Sequence, residues 1–211
     1  MLVNFEVFKK LYMKTNVLLL VLVSFTVNVF SQKLKTEQGS INNLKGIKSY
    51  NLVFDYSNLK VDKFETEEAF LKDKMAKREE NGTHEEFKQS WFADRNNRYE
   101  PKFIESFNKR FDNGSIKADK NLSSATHEML ITTTWIYPGY NVGVMRQPAK
   151  INATITVYDK NNPADILYKA SIQKVEGNGT MGTDYNSGYR ISEGYAKLAK
   201  ILAADLKKAN K

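Results

Sequence analysis

The sequence has no cysteine, only two histidines and four prolines. Without cysteine the chain has no disulfide, no zinc–thiolate site, no thiol nucleophile and no lipid-bearing cysteine of the kind that anchors bacterial lipoproteins. His84 and His127 do not form an H-E-x-x-H zinc motif, and no G-x-S-x-G serine-nucleophile motif occurs. We therefore predict no metal and no cofactor, and no local motif supports catalysis.

Long apolar runs are also scarce, and the clearest one lies near the amino terminus. One lysine precedes an apolar run at residues 17–27, and the small residue Ser31 follows it, which is typical of a secretory signal peptide. The run is much shorter than the roughly 20 residues of a membrane-spanning helix. We therefore favour cleavage after Ser31 over a transmembrane anchor, and predict a periplasmic or secreted protein without a stable membrane span. The signal begins at Met13, so translation starts there or upstream at Met1.

The charge of the chain is positive and evenly spread. Removal of residues 1–31 lowers the net charge from +8 to +6, because it takes away Glu6, Lys9, Lys10 and Lys14. A basic exported protein suits an envelope protein or an anionic envelope component as partner, while a plain mixed-charge surface is the alternative. Nucleic-acid binding would require a basic helix, or aromatic residues interleaved with Lys and Arg on a sheet face, and export makes it less favoured still, so we predict no nucleic-acid binding.

The first half of the chain predicts one strand and then helices. Residues 48–57 alternate apolar and polar side chains, as a half-buried strand does. A helix follows with Thr66 as its N-cap, and Thr83 and Glu86 predict a capping box for a second helix in which Phe87 and Trp91 share a face. A third helix is predicted at 101–113, and its aromatic stripe is typical of a protein core: Phe103, Phe107 and Phe111.

The second half predicts three strands and a helix. Residues 127–137, 149–159 and 166–172 have strand patterns, and the last two should pair as an antiparallel hairpin. Residues 187–209 form an amphipathic helix with its apolar residues on one side. The predicted fold is α+β, a single domain at 32–211 with an antiparallel or mixed four-stranded sheet covered on one face by helices.

Three glycines match a nucleotide-binding spacing. Gly177, Gly179 and Gly182 form G-x-G-x-x-G, which in dinucleotide-binding proteins opens a helix and is followed by a further strand. Here polar residues separate the glycines from the helix, and no strand pattern follows it. We therefore predict that these glycines and Gly188 serve chain reversal or close backbone packing.

Two polar and aromatic segments are candidate binding loops. The first, at 137–147, has residue types that favour interfaces, namely Tyr137, Tyr140 and Arg146. The second, at 182–190, carries Asp184, Tyr185, Tyr189 and Arg190. Connections carry function more often than the elements that they join, although ordinary solvated loops are the alternative.

Several features resemble exported proteins of Bacteroidota and envelope proteins with the anticodon-binding-like α/β fold. These features are the ending "VFSQ" of the signal, a threonine-rich strand, the segments "PGYNVGV" and "AKINATITVYD", a strand that ends in glycines and the closing helix "GYAKLAKILAADLKK". The fold occurs in the TolB amino-terminal domain, in LpoB and in related lipoproteins. The resemblance implies a binding or assembly role at the cell envelope. The lipid-bearing cysteine of those lipoproteins is missing, and residues 64–113 add helix to the simple fold.

The sequence thus predicts a non-catalytic periplasmic or secreted binding or assembly protein of the bacterial cell envelope. The alternative is an envelope hydrolase whose catalytic carboxylates are dispersed along the chain, since such pairs converge only in three dimensions. A deep pocket with two convergent Asp or Glu side chains would favour that alternative.

Overall fold

The structure, a computed structural model, describes residues 32–178 and 186–211. The predicted signal peptide, the glycines at 179 and 182, Asp184 and Tyr185 lie outside the described residues. Within these described residues, four α-helices, α1 to α4, span Glu67–Ala76, His84–Asp94, Glu100–Asn108 and Ser187–Ala209. The same part of the chain has nine strands, β1 to β9, which span Lys35–Gly39, Ser49–Asp55, Lys60–Val61, Lys117–Asp119, His127–Tyr137, Tyr140–Asn141, Arg146–Gln147, Ala149–Asp159 and Asn162–Gly177.

Seven strands form one mixed sheet in the order β1-β9-β8-β5-β2-β4, and β3 continues the line of β2 beside β5. The strands β2 and β5 are parallel, and so are β2 and β4, while β1, β8 and β9 join by antiparallel pairing. The prediction of helices with a mixed sheet is confirmed, whereas the predicted number of four strands is wrong. The extra strands lack the alternating apolar pattern, because β1 is exposed throughout and β3 and β4 have only two and three residues.

The strongly periodic segments have the predicted bounds. The strands β5 and β8 and the helix α4 start and end where the sequence pattern does. The predicted hairpin of β8 and β9 is antiparallel, and β9 extends beyond its predicted bounds at both ends. Periodicity over ten or more residues therefore determined these elements correctly.

The helix starts show one correct cap and one wrong cap. Thr66 caps α1, since its Oγ1 accepts a hydrogen bond of 3.1 Å from the N–H of Ala69. The capping box predicted at Thr83 does not form, because Thr83 has φ −102° and ψ 10° and no capping hydrogen bond. An N-cap residue needs an extended backbone, and the φ and ψ of Thr83 are not extended. One π-helical turn, Arg95–Tyr99, joins α2 directly to α3.

The hydrophobic core lies between the sheet and the helices. Alternate residues of β8 are at most 2% exposed: Ala149, Ile151, Ala153, Ile155 and Val157. The helix α4 covers this face, and its buried Tyr195 hydroxyl lies 2.6 Å from Thr133 Oγ1 of β5. The predicted aromatic stripe of Phe103, Phe107 and Phe111 is in the core as well. Residues Gln32–Lys211 form one compact unit, and none of its described helices is long and apolar enough to cross a membrane.

Gly177 of the nucleotide-like segment and Gly188 lie where the backbone of β9 and a side chain of α2 approach α4. A Cβ on Gly177 would come within 2.0 Å of the Arg190 carbonyl oxygen and 2.5 Å of the Gly194 nitrogen. A Cβ on Gly188 would lie 1.8 Å from Oδ2 of Asp94. The predicted close backbone packing is therefore confirmed for Gly177, whereas the neighbour of Gly188 is the Asp94 side chain and not backbone.

Candidate functional site

A cleft of about 450 Å³, here called the main cleft, opens where β5 ends. Its walls are the helices α1 and α2, the turn Pro138–Gly139, the hairpin of β6 and β7 and the first turn of α4. The strand β5 is parallel to β2 and β3, so the cleft lies at the carboxyl end of parallel strands. Ligands of α/β proteins commonly bind at this end of a sheet.

Aromatic rings from α1 and α2 form the floor of the main cleft. Phe70 and Trp91 are nearly buried, with ring centroids 4.8 Å apart, and Phe87 lies beside both. The indole Nε1 of Trp91 donates a hydrogen bond of 2.6 Å to Oε1 of Glu67. The Glu67 carboxylate also accepts from Nη2 of Arg95 at 2.6 Å. These contacts fix the Trp91 ring, so the floor is rigid and apolar.

Arg78 lies at the end of α1 and lines both the main cleft and a neighbouring smaller cleft. Its guanidinium carbon lies 4.1 Å from the centroid of the Phe87 ring, and Nη1 donates a hydrogen bond of 2.9 Å to the Lys74 carbonyl. The side chain is half-buried. Among the described residues, no carboxylate lies within salt-bridge distance of this guanidinium. The stacking and the single backbone contact leave other N–H groups of the fork available to a ligand.

The charged side chains around the main cleft are mostly basic. Lys74 places its ammonium 5.6 Å from the centroid of the Phe70 ring, and its nearest carboxylate, on Asp73, lies 3.5 Å away. Among the described residues that line the cleft, three are basic, namely Lys74, Arg78 and Arg190, and one is acidic, namely Asp62. The cleft is therefore suited to a ligand with negative charge.

Three of the predicted binding residues meet in this cleft: Tyr137, Tyr140 and Arg190. The Tyr137 ring stacks on Trp135, whose Nε1 donates a hydrogen bond of 2.9 Å to the Asp62 carbonyl. Burial raises the pKa of the Tyr137 phenol, so this hydroxyl stays protonated and able to donate a hydrogen bond. Tyr140 is 37% exposed at the cleft mouth.

Arg190 belonged to both the predicted helix at 187–209 and the predicted binding loop at 182–190, and the structure places it in the helix. It lies in the first turn of α4, is only 3% exposed, and donates hydrogen bonds of 3.2 Å from Nε to the Pro138 carbonyl and from Nη2 to the Gly139 carbonyl. Its side chain therefore joins the start of α4 to the turn after β5. Tyr189 also lies in α4 and not in a loop, because the Asn186 side chain caps the helix there by accepting from the Tyr189 N–H.

The remaining predicted residues do not line the main cleft. Tyr189 is half-buried beside it, and Arg146 lies on the exposed strand β7. Asp184 and Tyr185 are outside the described residues. The sequence interpretation did not predict that α1 and α2 form a wall of the main cleft. It did predict that Phe87 and Trp91 lie on one face of the same helix. The sequence interpretation assigned no binding role to Arg78.

The smaller cleft, of about 320 Å³, bears on the hydrolase alternative. Its lining carries two carboxylates, Glu86 and Asp94, both on α2. Their backbone positions are eight residues apart, about 12 Å along the helix axis. No cluster of three or more metal-ligating side chains occurs within residues 32–178 and 186–211.

Asp94 provides a pH-dependent test of this region. Burial raises the pKa of its carboxyl group above the ordinary value, while Arg98, with Nε 2.6 Å from Oδ1, opposes the rise. Because the folded-state pKa is above the unfolded one, this group contributes less stability as the pH rises through that interval. We expect the stability of the wild type relative to Asp94→Asn to be greater at pH 4 than at pH 7. Urea unfolding at both pH values measures this difference, and an equal or smaller wild-type advantage at pH 4 would contradict it.

Comparison of the chain with protein-family models, curated proteins and solved structures gave no match. The resemblance to the TolB and LpoB proteins therefore stays a prediction.

Proposed function

We propose that this protein is a non-catalytic periplasmic or secreted binding protein of the bacterial cell envelope. Its main cleft binds an anionic ligand that also has an aromatic or apolar part. The observation that carries this proposal is Arg78, a half-buried guanidinium without a carboxylate partner among the described residues, located beside an aromatic floor.

The arginine supplies the recognition of negative charge. A guanidinium presents a planar fork of N–H donors that matches carboxylate, phosphate or sulfonate oxygens, and such charge-assisted hydrogen bonds are stronger than neutral ones. Stacking on Phe87 and the contact with the Lys74 carbonyl hold the fork in place before a ligand arrives. Lys74 adds a second positive charge nearby. An anion bound here therefore meets a preorganised group.

The floor supplies the apolar contact. Phe70, Phe87 and Trp91 offer ring surface, and Tyr137 and Tyr140 add phenol groups at the opposite wall. A volume of about 450 Å³ lies in the range of small-ligand sites, roughly 300–1,000 Å³. The cleft therefore has room for one aromatic or short apolar group next to the charge.

The absence of a close carboxylate pair in the smaller cleft supports binding without catalysis. Glu86 and Asp94 lie about two helical turns apart on α2, and Asp94 is engaged by Arg98. A hydrolase with dispersed carboxylates is the competing proposal, and turnover of the bound ligand would favour it.

The test uses 8-anilinonaphthalene-1-sulfonate, an aromatic anion, and its neutral analogue N-phenyl-1-naphthylamine with residues 32–211. We expect Arg78→Gln to weaken binding of the sulfonate about tenfold, equal to about 1.4 kcal/mol, and to leave binding of the neutral probe unchanged. Fluorescence titration gives both dissociation constants.

The matched control is Arg110→Gln, which removes the same charge beyond the end of α3. Its neighbour Phe111 lies under Lys207 at the far end of α4, so this arginine is remote from the main cleft. Equal sulfonate affinities for the two variants would overturn the proposed site. If Arg78→Gln weakened the binding of both probes equally, the substitution would have changed the shape of the cleft and not the recognition of charge.

A further inference from the structure

The hairpin of β6 and β7 ends in the most exposed apolar residues of the described chain. Tyr140 pairs with Gln147 and Asn141 with Arg146, and between these pairs lies the tip, residues 142–145. The tip exposes Val142 by 61%, Val144 by 94% and Met145 by 60%. Three neighbouring aliphatic side chains without a charge among them are costly to keep in water.

Three backbone N–H groups of this tip donate hydrogen bonds within the hairpin. The Val142 N–H donates to the Met145 carbonyl at 3.0 Å, and the Val144 N–H donates to the Val142 carbonyl at 3.1 Å. The Gly143 N–H donates to Oδ1 of Asn141 at 3.0 Å. A segment that enters lipid must satisfy its polar backbone groups internally, because lipid offers no partners. These three donors already meet that requirement.

We propose that residues 142–145 insert into the boundary between headgroups and acyl chains of a membrane that contains anionic lipid. The residues at the base of the hairpin are suited to the polar interface and the anionic headgroups of such a membrane. Tyr140, 37% exposed, is an amphipathic aromatic residue of the kind enriched at membrane interfaces, and Arg146 is cationic. The positive net charge of the chain adds attraction to anionic headgroups. This proposal does not depend on the ligand of the main cleft.

The size of the tip favours a lipid surface over a protein partner. A stable protein–protein interface buries about 800 Å² on each partner, far more than three aliphatic side chains expose. A membrane contact has no such minimum, since short apolar loops and basic residues act together there. The tip therefore matches peripheral attachment to a membrane.

The first experiment measures cosedimentation of residues 32–211 with vesicles of equal parts phosphatidylcholine and phosphatidylglycerol. We expect the variant Val142→Ser/Val144→Ser/Met145→Ser to bind at least tenfold more weakly than the wild type. The variant Arg110→Gln should bind as the wild type does, because this residue lies beyond the end of α3, remote from both the main cleft and the hairpin. Tip residues are exposed, so circular dichroism should show both variants folded. Equal binding of the triple variant and the wild type would overturn the proposal.

The second experiment uses the absence of cysteine, which makes an introduced cysteine a unique labelling site. Val144→Cys is labelled with an environment-sensitive nitrobenzoxadiazole group, and Asn161→Cys, in the turn between β8 and β9 at the other end of β8, is the matched control. We expect the emission at position 144 to rise several-fold with anionic vesicles and the emission at 161 to stay constant. An unchanged signal at 144 would overturn insertion. If the emission at 144 rose with protein concentration in the absence of vesicles, the tip would contact a second copy of the protein. That result would also overturn the proposed insertion.

Discussion

Replacing Gly177 by alanine is expected to destabilise the protein by about 4 kcal/mol or to prevent its folding. The added Cβ would lie 2.0 Å from the Arg190 carbonyl oxygen and 2.5 Å from the Gly194 nitrogen. Both neighbours are backbone atoms of α4, so relief requires the whole helix to move away from β9. Such a movement would also displace Arg190 from the turn after β5 and so disturb the main cleft. Urea unfolding measures the loss.

Gly194→Ala is the matched control, because it adds the same methyl group at the same contact between α4 and β9. Here the new Cβ would lie 3.5 Å from the Val175 carbonyl oxygen and 3.6 Å from the Ile151 side chain, at ordinary van der Waals distances. In addition, alanine stabilises a helix interior by about 1 kcal/mol relative to glycine. We expect this variant to be as stable as the wild type or more stable. If both variants lost the same stability, the contact at Gly177 would not be the cause.

The sequence allowed the most periodic parts of the fold to be predicted. The patterns of β5, β8 and α4 extend over at least eleven residues, so their bounds agree with the structure. The short strands β3 and β4 gave no such pattern, because their pairing depends on neighbours that are distant in sequence. The cap at Thr83 failed for a related reason, since residue types show that a capping box is possible but do not fix the backbone angles.

The sequence predicted residues on only one side of the main cleft, the side formed by the segment at the end of β5. The tyrosines of the segment after β5 could be found, because aromatic residues next to Pro-Gly predict an exposed turn that favours binding. Arg78 could not be found, because its position above Phe87 depends on how α1 packs against α2. The contacts of Arg190 with the carbonyl groups of Pro138 and Gly139 could not be predicted either, because these residues are distant in sequence.

The second large effect is expected for Glu67→Ala, which should cost about 3 kcal/mol of stability. The Glu67 carboxylate is 9% exposed and accepts hydrogen bonds from Nε1 of Trp91 and Nη2 of Arg95. Its removal leaves a buried indole N–H without an acceptor and a guanidinium without its carboxylate. Arg95 also lies over the Tyr56 ring, at 4.4 Å, so the loss extends from the cleft floor to the sheet. Chemical unfolding checks the value.

Glu67→Gln separates charge from hydrogen bonding at this position. Glutamine keeps an oxygen that accepts from Trp91 but loses the charge that Arg95 requires, so we expect roughly half the loss of the alanine variant. The neighbouring Glu68 is exposed, and Glu68→Ala should change stability by less than about 0.5 kcal/mol. Because Glu67 orients Trp91, its alanine variant should also bind 8-anilinonaphthalene-1-sulfonate more weakly than Glu68→Ala. Equal stability of both alanine variants would show that this buried network does not hold the cleft floor.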